Sequence, residues 1–187
     1  MKNRCFWVTK DPLYVEYHDN EWGVPVYDDD TLFEFLILET FQAGLSWITI
    51  LKKRENFRKA FDNFNYQKIA NYTEDKFETL LQDAGIIRNK LKIKATISNA
   101  QAFIKVQEEF GSFSKYIWAF VDGKPIQNNF VNREDVPATT PLSDKISKDL
   151  KKRGFKFVGS TVVYAHMQAT GMVNDHTTNC FRYNECN

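Results

Sequence analysis

The feature that most constrains the fold is a long apolar segment behind three aspartates, within residues 28–54. Any residue from Asp28 to Asp30 can cap a helix N-terminus and lies well against its dipole. From Leu32 to Phe41 the side chains are apolar on nearly every side of a helix. A helix without a polar face is normally buried, so the sequence predicts a helix at the centre of the fold.

Glu39 lies on the packed surface of this helix, at helical spacing from Leu32, Phe35 and Leu36. Burying an unpaired carboxylate costs roughly several kcal/mol, so the group must be neutralised or paired. Its partner is either an Arg or Lys of the core or a ligand. Ala43-Gly44 is expected to break the helix, and Ser46 can cap a second one. The break brings Glu39 near Trp47, and a carboxylate beside an indole suits a flat, nitrogen-rich ligand, so we favour the ligand.

Composition indicates a soluble globular chain. Its 187 residues are 43% hydrophobic and 26% charged, with a net charge of +1, enough for one domain over 1–187 or two helical lobes sharing a core. No apolar run approaches the roughly 20 residues of a membrane span, and the polar start is unlike a signal peptide. We therefore expect a cytoplasmic protein with no membrane partner.

Hydrophobic periodicity predicts helices over most of the chain, and period-two alternation is nearly absent, so the predicted class is all-α. Residues 122–142 are rich in Gly, Pro, Asn and Thr, and are predicted to form a long irregular loop where a lobe boundary could lie. Ser143 is the expected cap of the helix that follows. The predicted helices are 11–22, 28–42, 46–61, 66–71, 74–83, 88–110, 114–121, 143–153 and 160–170.

The segment from Asp144 to Lys156 carries six cations against two anions. It ends in a short loop bounded by Gly154 and Gly159, before a helix that begins at Ser160. Glycines let a backbone approach a phosphate, and the N–H groups that open a helix point at it. An ordinary turn beside a solvated basic helix explains the pattern equally well.

Two cysteines and two histidines near the chain ends form a candidate metal set: Cys5, His18, His176 and Cys180. Singly, each is more often a packed residue than a ligand. Together, two thiolates and two imidazoles suit tetrahedral zinc, and four protein ligands leave no position for reactive water. We therefore expect a structural Zn²⁺ that clasps residues 1–25 to 171–187, with Cys186 as a spare.

Eight motifs in this order resemble the bacterial 3-methyladenine DNA glycosylase I family. The resemblance covers essentially the whole chain and leaves only the 122–142 loop uninformative. The motifs are Cys5-Phe-Trp7, Asp11-Pro-Leu-Tyr14, Tyr17-His-Asp-Asn-Glu-Trp-Gly-Val-Pro25, Gln42-Ala-Gly-Leu-Ser-Trp-Ile-Thr49, Leu51-Lys-Lys-Arg-Glu-Asn56, Gln82-Asp-Ala-Gly-Ile-Ile-Arg88, Leu150-Lys-Lys-Arg-Gly-Phe-Lys-Phe-Val-Gly159 and Val173-Asn-Asp-His176.

The resemblance implies a helix-hairpin-helix DNA glycosylase fold and excision of 3-methyladenine from alkylated double-stranded DNA by a monomer. It implies that Glu39 and Tyr17 are polar contacts of the base, that Trp47 stacks on it, and that three further rings line or support the pocket: Trp7, Tyr14 and Trp22. It implies a probe of the base stack at Leu45, beside Gly44. The residues it places against the DNA backbone are Lys152, Arg153, Gly154, Lys156 and Gly159.

One departure concerns the wider superfamily, whose catalytic aspartate is replaced by Asn174 in the matching register. Asp175 is then interpreted as a neighbour of the zinc ligand His176. No lysine stands at the Schiff-base position, so no strand-cleaving step is expected. Glu39 is the catalytic candidate, and we favour recognition of the base over stabilisation of the sugar cation. The rival classes are a non-catalytic zinc-clasped DNA-binding module and a purine-binding protein without a DNA partner.

Overall fold

The computed structural model describes residues 2–186. Over these residues it is helical, with one short sheet, which confirms the predicted all-α class. The α-helices are α1 (Pro12–Asn20), α2 (Asp29–Gln42), α3 (Trp47–Ala60), α4 (Tyr66–Ile69), α5 (Glu74–Gln82), α6 (Lys90–Phe110), α7 (Phe113–Trp118), α8 (Pro141–Lys152) and α9 (Ser160–Ala169). Short 3₁₀ turns occupy Asp62–Phe64, Ala119–Val121 and Arg133–Asp135. None of the helices in this part of the chain is both long and apolar enough to cross a bilayer.

Helix α2 is the central element of the fold, as its apolar residues on nearly every side predict. It packs against α3, α6, α7 and α9, and every residue from Phe35 to Phe41 is buried. Its cap is Asp28, whose Oδ2 accepts from the backbone N–H of Thr31 at 2.9 Å. The neighbouring Asp29 accepts instead from two backbone N–H groups that open α7. The aspartates therefore start one helix and anchor another.

Two predicted helix starts were wrong. Helix α8 begins at Pro141 and is capped by Thr140, because Thr140 and Ser143 form a reciprocal capping box. Helix α6 begins at Lys90, because Asn89 Oδ1 accepts from Lys92 N at 3.1 Å and so takes the cap position. Ser46 does precede α3, but its hydroxyl bonds Thr49 Oγ1 rather than backbone N–H.

The segment 122–142, predicted to be an irregular loop, contains a strand. Strand β1 (Ile126–Gln127) pairs in parallel with β2 (Val173–Asn174). Two-residue strands are too short to show alternation, which is why the pattern missed them. The pairing holds this segment against the C-terminal part of the chain, where the side chain of Asn128 also donates to Asp175 at 2.7 Å.

The buried apolar residues form two clusters. The larger surrounds α2, α6 and α9 and contains most of the phenylalanines. The smaller contains Tyr17, Phe35 and Leu51, and a set of half-buried rings packs against it: Trp7, Tyr14, Trp22 and Trp47. Because these rings are only partly covered, the second cluster forms a wall rather than a closed core.

Candidate active site

A cavity of about 300 Å³ opens at the smaller cluster. That volume lies at the lower end of the roughly 300–1,000 Å³ of small-molecule sites. All six side chains that the sequence analysis assigned to the pocket line this one cavity: Trp7, Tyr14, Tyr17, Trp22, Glu39 and Trp47. They come from the segment before α1, from α1 itself, from the turn that follows it, and from α2 and α3. The break after α2 turns the chain so that Trp47 of α3 faces the same cavity as Glu39 of α2.

Glu39 is 4% exposed, and its Oε2 has no hydrogen-bond partner within residues 2–186. No Lys or Arg of the described chain forms a salt bridge with it. The alternative of an ion pair in the core is therefore wrong. Burial raises the pKa of Glu39 to about 8, so the carboxyl group is mostly protonated at neutral pH in the free protein.

Three further buried polar atoms of the cavity residues lack a partner in the described part of the molecule: Trp7 Nε1, Tyr17 Oη and Trp47 Nε1. Buried polar groups in native proteins are nearly always hydrogen-bonded. Each one left unpaired costs about 1–3 kcal/mol. Four such atoms around one cavity indicate a ligand that carries both donors and acceptors.

The aromatic walls are tightly associated. The ring centroids of Tyr17 and Trp47 are 5.7 Å apart, and Trp7 lies 5.0 Å from both Tyr14 and Trp22. Burial, followed by the nearby Glu39, raises the pKa of Tyr17 well above its usual value. Its hydroxyl therefore stays neutral and can donate to or accept from a ligand.

Several cavity residues were not predicted from the sequence. Gln42 lies three residues after Glu39, and this helical spacing could have revealed it. Phe6 and the pair Val136 and Pro137 come from segments without a local signal. The remaining lining residues are Ala165, Gln168 and Asp175.

Asp175 directly precedes the predicted metal ligand His176, and it also lines the cavity. The carboxylate accepts from Asn128 at 2.7 Å, Tyr164 at 2.5 Å and Gln168 at 2.9 Å. All three donors are neutral, so this carboxyl group is held in place without a cationic partner among the residues that the structure describes. The neighbouring Asn174 is fully buried, and its side-chain amide donates to Gln127 Oε1 and to the backbone carbonyl of Tyr183.

The corner between α2 and α3 projects an apolar side chain. Gly44 has φ +79°, a conformation that glycine adopts at little cost. Leu45 follows it with its side chain 40% exposed, and its backbone N–H donates to the carbonyl of Gln42 at 2.7 Å. The corner is thus a defined turn that presents a leucine to solvent.

The loop between α8 and α9 has the predicted hairpin shape. Gly154 has φ +96°, Gly159 occupies the position before α9, and Lys152 and Lys156 are exposed. Arg153 differs from these lysines. It donates to Asp149 and Glu109, both at 2.7 Å, so two carboxylates of the protein itself offset much of its charge.

The four predicted metal ligands meet in one buried cluster, with all ligating atoms within 4.8 Å of one another. Cys5 Sγ lies 3.4 Å from His176 Nδ1, and Cys180 Sγ lies 3.4 Å from His18 Nε2. Zinc bonds of about 2.3 Å to sulfur and 2.0 Å to nitrogen at tetrahedral angles place such atoms about 3.5 Å apart. The residues therefore fit a metal ion.

The outer nitrogens of both histidines are also bonded. His18 Nδ1 lies 2.8 Å from Asp19 Oδ1, and His176 Nε2 lies 3.0 Å from the carbonyl oxygen of Trp22. Such acceptors fix the tautomer in which the inner nitrogen can ligate. Hydrogen bonding among the cysteine and histidine side chains lowers the pKa of Cys180, which favours the thiolate form that a metal ion requires.

Comparisons with known proteins agree with this geometry. The family model described as methyladenine glycosylase matches residues 7–183. DNA-3-methyladenine glycosylase 1 of Escherichia coli (strain K12) is 51% identical over 180 residues, which are 96% of each chain. A crystal structure of 3-methyladenine DNA glycosylase I superposes with a TM-score of 0.93 at 54% identity, covering 96% of this chain and 98% of the other.

A structure of 3-methyladenine DNA glycosylase I from Staphylococcus aureus, solved to explain 3-methyladenine recognition, has the same TM-score of 0.93 at 39% identity and covers 96% of both chains. The family model spans nearly the whole chain, and the likeness extends through sequence and fold alike. The chain belongs to the methyladenine glycosylase family.

Proposed function

We propose that this protein releases 3-methyladenine from alkylated double-stranded DNA by hydrolysing the N-glycosidic bond, without cleaving the strand. The observation that carries the proposal is a set of four polar atoms, Glu39 Oε2 among them, that have no partner within residues 2–186 and lie in a cavity walled by aromatic rings. The names of the relatives point to the same base.

The chemistry of the substrate matches this pocket. An adenine methylated at N3 in DNA is a cation and already a good leaving group, so selective binding matters more than a strong nucleophile. The base must leave the duplex to enter the cavity, which costs a few kcal/mol, and less where pairing is weakened. The face of Trp47 offers a cation–π contact worth about 2 kcal/mol when desolvated.

In this proposal, Glu39 recognises the base by a hydrogen bond to its edge. Its carboxyl oxygen accepts from the exocyclic amine, and the positive charge of the base favours the ionised carboxylate. Entry of the cationic base is then coupled to loss of the proton that burial retains in the free protein. Tyr17 and the two indole N–H groups lie around the same cavity and supply the other polar contacts. Asp175 contributes a fixed carboxyl group to the wall.

The metal is Zn²⁺ in this proposal, and its role is structural. The four ligands, Cys5, His18, His176 and Cys180, leave no open position, and the ion would supply a charge that holds two thiolates and two imidazoles together. Because Tyr17 and Asp175 directly precede ligands in sequence, the cluster also supports the pocket wall.

DNA binds across the corner at Leu45 and the loop between α8 and α9. The leucine enters the base stack where the flipped nucleotide leaves it, while Lys152, Lys156 and the backbone near Gly154 and Gly159 hold phosphates. Arg153 supports the loop through its own carboxylate partners. We propose that the protein works as a monomer in the cytoplasm.

The decisive experiment incubates the protein with duplex DNA methylated at N3 of adenine and measures the free base by chromatography. Release of 3-methyladenine with intact abasic strands is expected, and loss of release in Glu39→Gln would assign it to this pocket. A non-catalytic DNA-binding module would bind the duplex but release no base. A purine-binding protein would take up free base and show no salt-sensitive DNA affinity.

A further inference from the structure

Lys92 is a buried lysine whose ammonium group contacts backbone carbonyl oxygens. The residue is 7% exposed on α6, and no salt bridge to a carboxylate is formed by it within the described residues. Its Nζ instead lies 3.4 Å from the carbonyl oxygen of Phe41 and 3.5 Å from that of Ala43. An ammonium group is costly to bury, so a purely apolar packing role would be better served by leucine or methionine.

The carbonyl groups that Lys92 contacts close the helix that carries Glu39. The last four C=O groups of a helix have no partner within it, and they carry the negative end of its dipole. The lysine satisfies two such groups with a positive charge, immediately before Gly44 and Leu45. Its ammonium group therefore fixes the direction in which the corner leaves α2.

Asn99 makes an equivalent connection to the other DNA-binding element. Its side chain is fully buried and bonds the backbone of Lys156 in both directions. Asn99 Nδ2 donates to the carbonyl oxygen at 3.1 Å, and the backbone N–H of Lys156 donates to Asn99 Oδ1 at 2.8 Å. The amide holds the loop between α8 and α9 at a defined place on α6.

The two residues lie on the same face of one continuous helix. They are seven residues apart, which is close to two turns and about 10 Å along the axis. The 21 residues of α6 run without interruption from Lys90 to Phe110. A rigid helix thus connects the corner that bears Leu45 to the loop that bears Lys156.

We propose that Lys92 and Asn99 are positioning residues that set the spacing between the Leu45 corner and the α8–α9 loop. The proposal rests on the proposed function, because the spacing matters only if both elements engage one duplex at the same time. Simultaneous engagement adds affinity when the geometry fits and is lost when it does not. Neither residue touches the base pocket, so each acts on duplex DNA and not on the free base.

The test compares Lys92→Met and Asn99→Leu with a matched control, Thr96→Val. Thr96 is buried between them on α6, and its hydroxyl donates to the carbonyl of Lys92 in its own helix, at 2.8 Å. We expect each variant to lower kcat/KM on methylated duplex by about tenfold or more. Free 3-methyladenine affinity, measured by tryptophan fluorescence, should stay within about twofold, and the control should match wild type.

Three further measurements separate positioning from stability. Lys92→Arg keeps a cation that can donate to the same carbonyl groups and should recover most of the activity. Lys92→Met removes a buried charge, so its melting temperature should not fall in step with its activity. The double variant should lose less than the product of the single losses, since both disturb one spacing.

Two results overturn the inference while leaving the proposed function intact. One is an active wild type with unchanged duplex activity in both variants. The other is a parallel loss of stability, free-base affinity and duplex activity, including in Thr96→Val. A wild type that releases no base and does not bind duplex would instead refute the proposed function, and the spacing proposal with it.

Discussion

His176 connects the metal cluster to Trp22, because its Nδ1 faces the cysteine sulfurs while its Nε2 lies 3.0 Å from the carbonyl oxygen of Trp22. The two rings also meet edge to face at 4.7 Å. Trp22 in turn lines the cavity. A change at the candidate metal ligands can therefore reach the pocket through the contact between His176 and Trp22.

Removal of the metal with a chelator should accordingly weaken two properties. We expect a melting temperature lower by about 10 °C or more, since metal binding contributes directly to folding, and a loss of affinity for free 3-methyladenine. Calorimetry and fluorescence titration of the folded apo protein measure the two effects. Apo protein that melts earlier but binds the base with full affinity would show that the cluster is separate from the pocket.

The buried carboxyl group of Glu39 should make stability depend on pH. Its pKa of about 8 in the folded protein lies above the usual value of 4.5, so its contribution to stability is full below about 4.5 and is lost as the pH rises through 8. Urea unfolding of wild type should give a lower free energy of unfolding at pH 9 than at pH 7. Glu39→Gln should remove most of that difference, and equal pH dependence in both proteins would contradict it.

Excision should show the opposite trend with pH. The cationic base binds better to the ionised carboxylate, so kcat/KM is expected to rise with pH and to level off above about 8. Glu39→Gln should be flat over the same range and slower by about tenfold or more. A rising limb that survives in the variant would assign the titration to another group.

Gly23 should tolerate no side chain. Its φ is +81°, and an added Cβ would lie 2.9 Å from His176 Nε2, so Gly23→Ala must displace the ring of a candidate metal ligand. Gly123→Ala is the matched control, because its φ is +74° with nothing within 4 Å of the added carbon. We expect Gly23→Ala to lose metal affinity in a competition titration, while the control loses only about 1 kcal/mol of stability.

Lys156 and Arg153 should differ in their effect on DNA binding. Lys156→Ala removes an exposed cation, so it should lower the slope of log affinity against log salt by about 1. Arg153→Ala should change that slope less and reduce stability more, because its guanidinium bonds Asp149 and Glu109 and stacks on Phe110 and Tyr116. Equal slopes and equal stabilities would show that neighbouring carboxylates do not offset the Arg153 charge.

The elements that could be predicted were those with a strong local signal. A carboxylate among apolar residues indicated Glu39 and its unmet bonding, and the break at Gly44 indicated the corner with Trp47. Soft ligands at both ends of the chain indicated the metal cluster, although only folding could bring Cys5 and His176 together. Each of these signals depends on residue type and spacing, which a sequence displays directly.

The rest depends on contacts between distant segments. The sequence around Asp175 does not show that Asn128 and Tyr164 hold its carboxylate in the cavity wall. Likewise, the sequence around Arg153 does not show that Glu109, 44 residues away, accepts a hydrogen bond from it. In the sequence, Lys92 is one of three closely spaced lysines, with Lys90 and Lys94, and nothing local distinguishes it from the other two. Its burial against carbonyl oxygens follows from how α6 crosses α2, which local periodicity does not encode.

The parallel pairing of β1 with β2 and the contact between Cys5 and His176 both join distant parts of the chain, the first between Ile126 and Val173 and the second across 171 residues. Bringing such distant points together costs about 3–5 kcal/mol of chain entropy before any contact is made. Folding is therefore expected to complete the helical body first and to join the chain ends last. A newly synthesised or refolding molecule would then pass through a stage in which the chain ends are not yet joined and the thiols of Cys5 and Cys180 are open to oxidation.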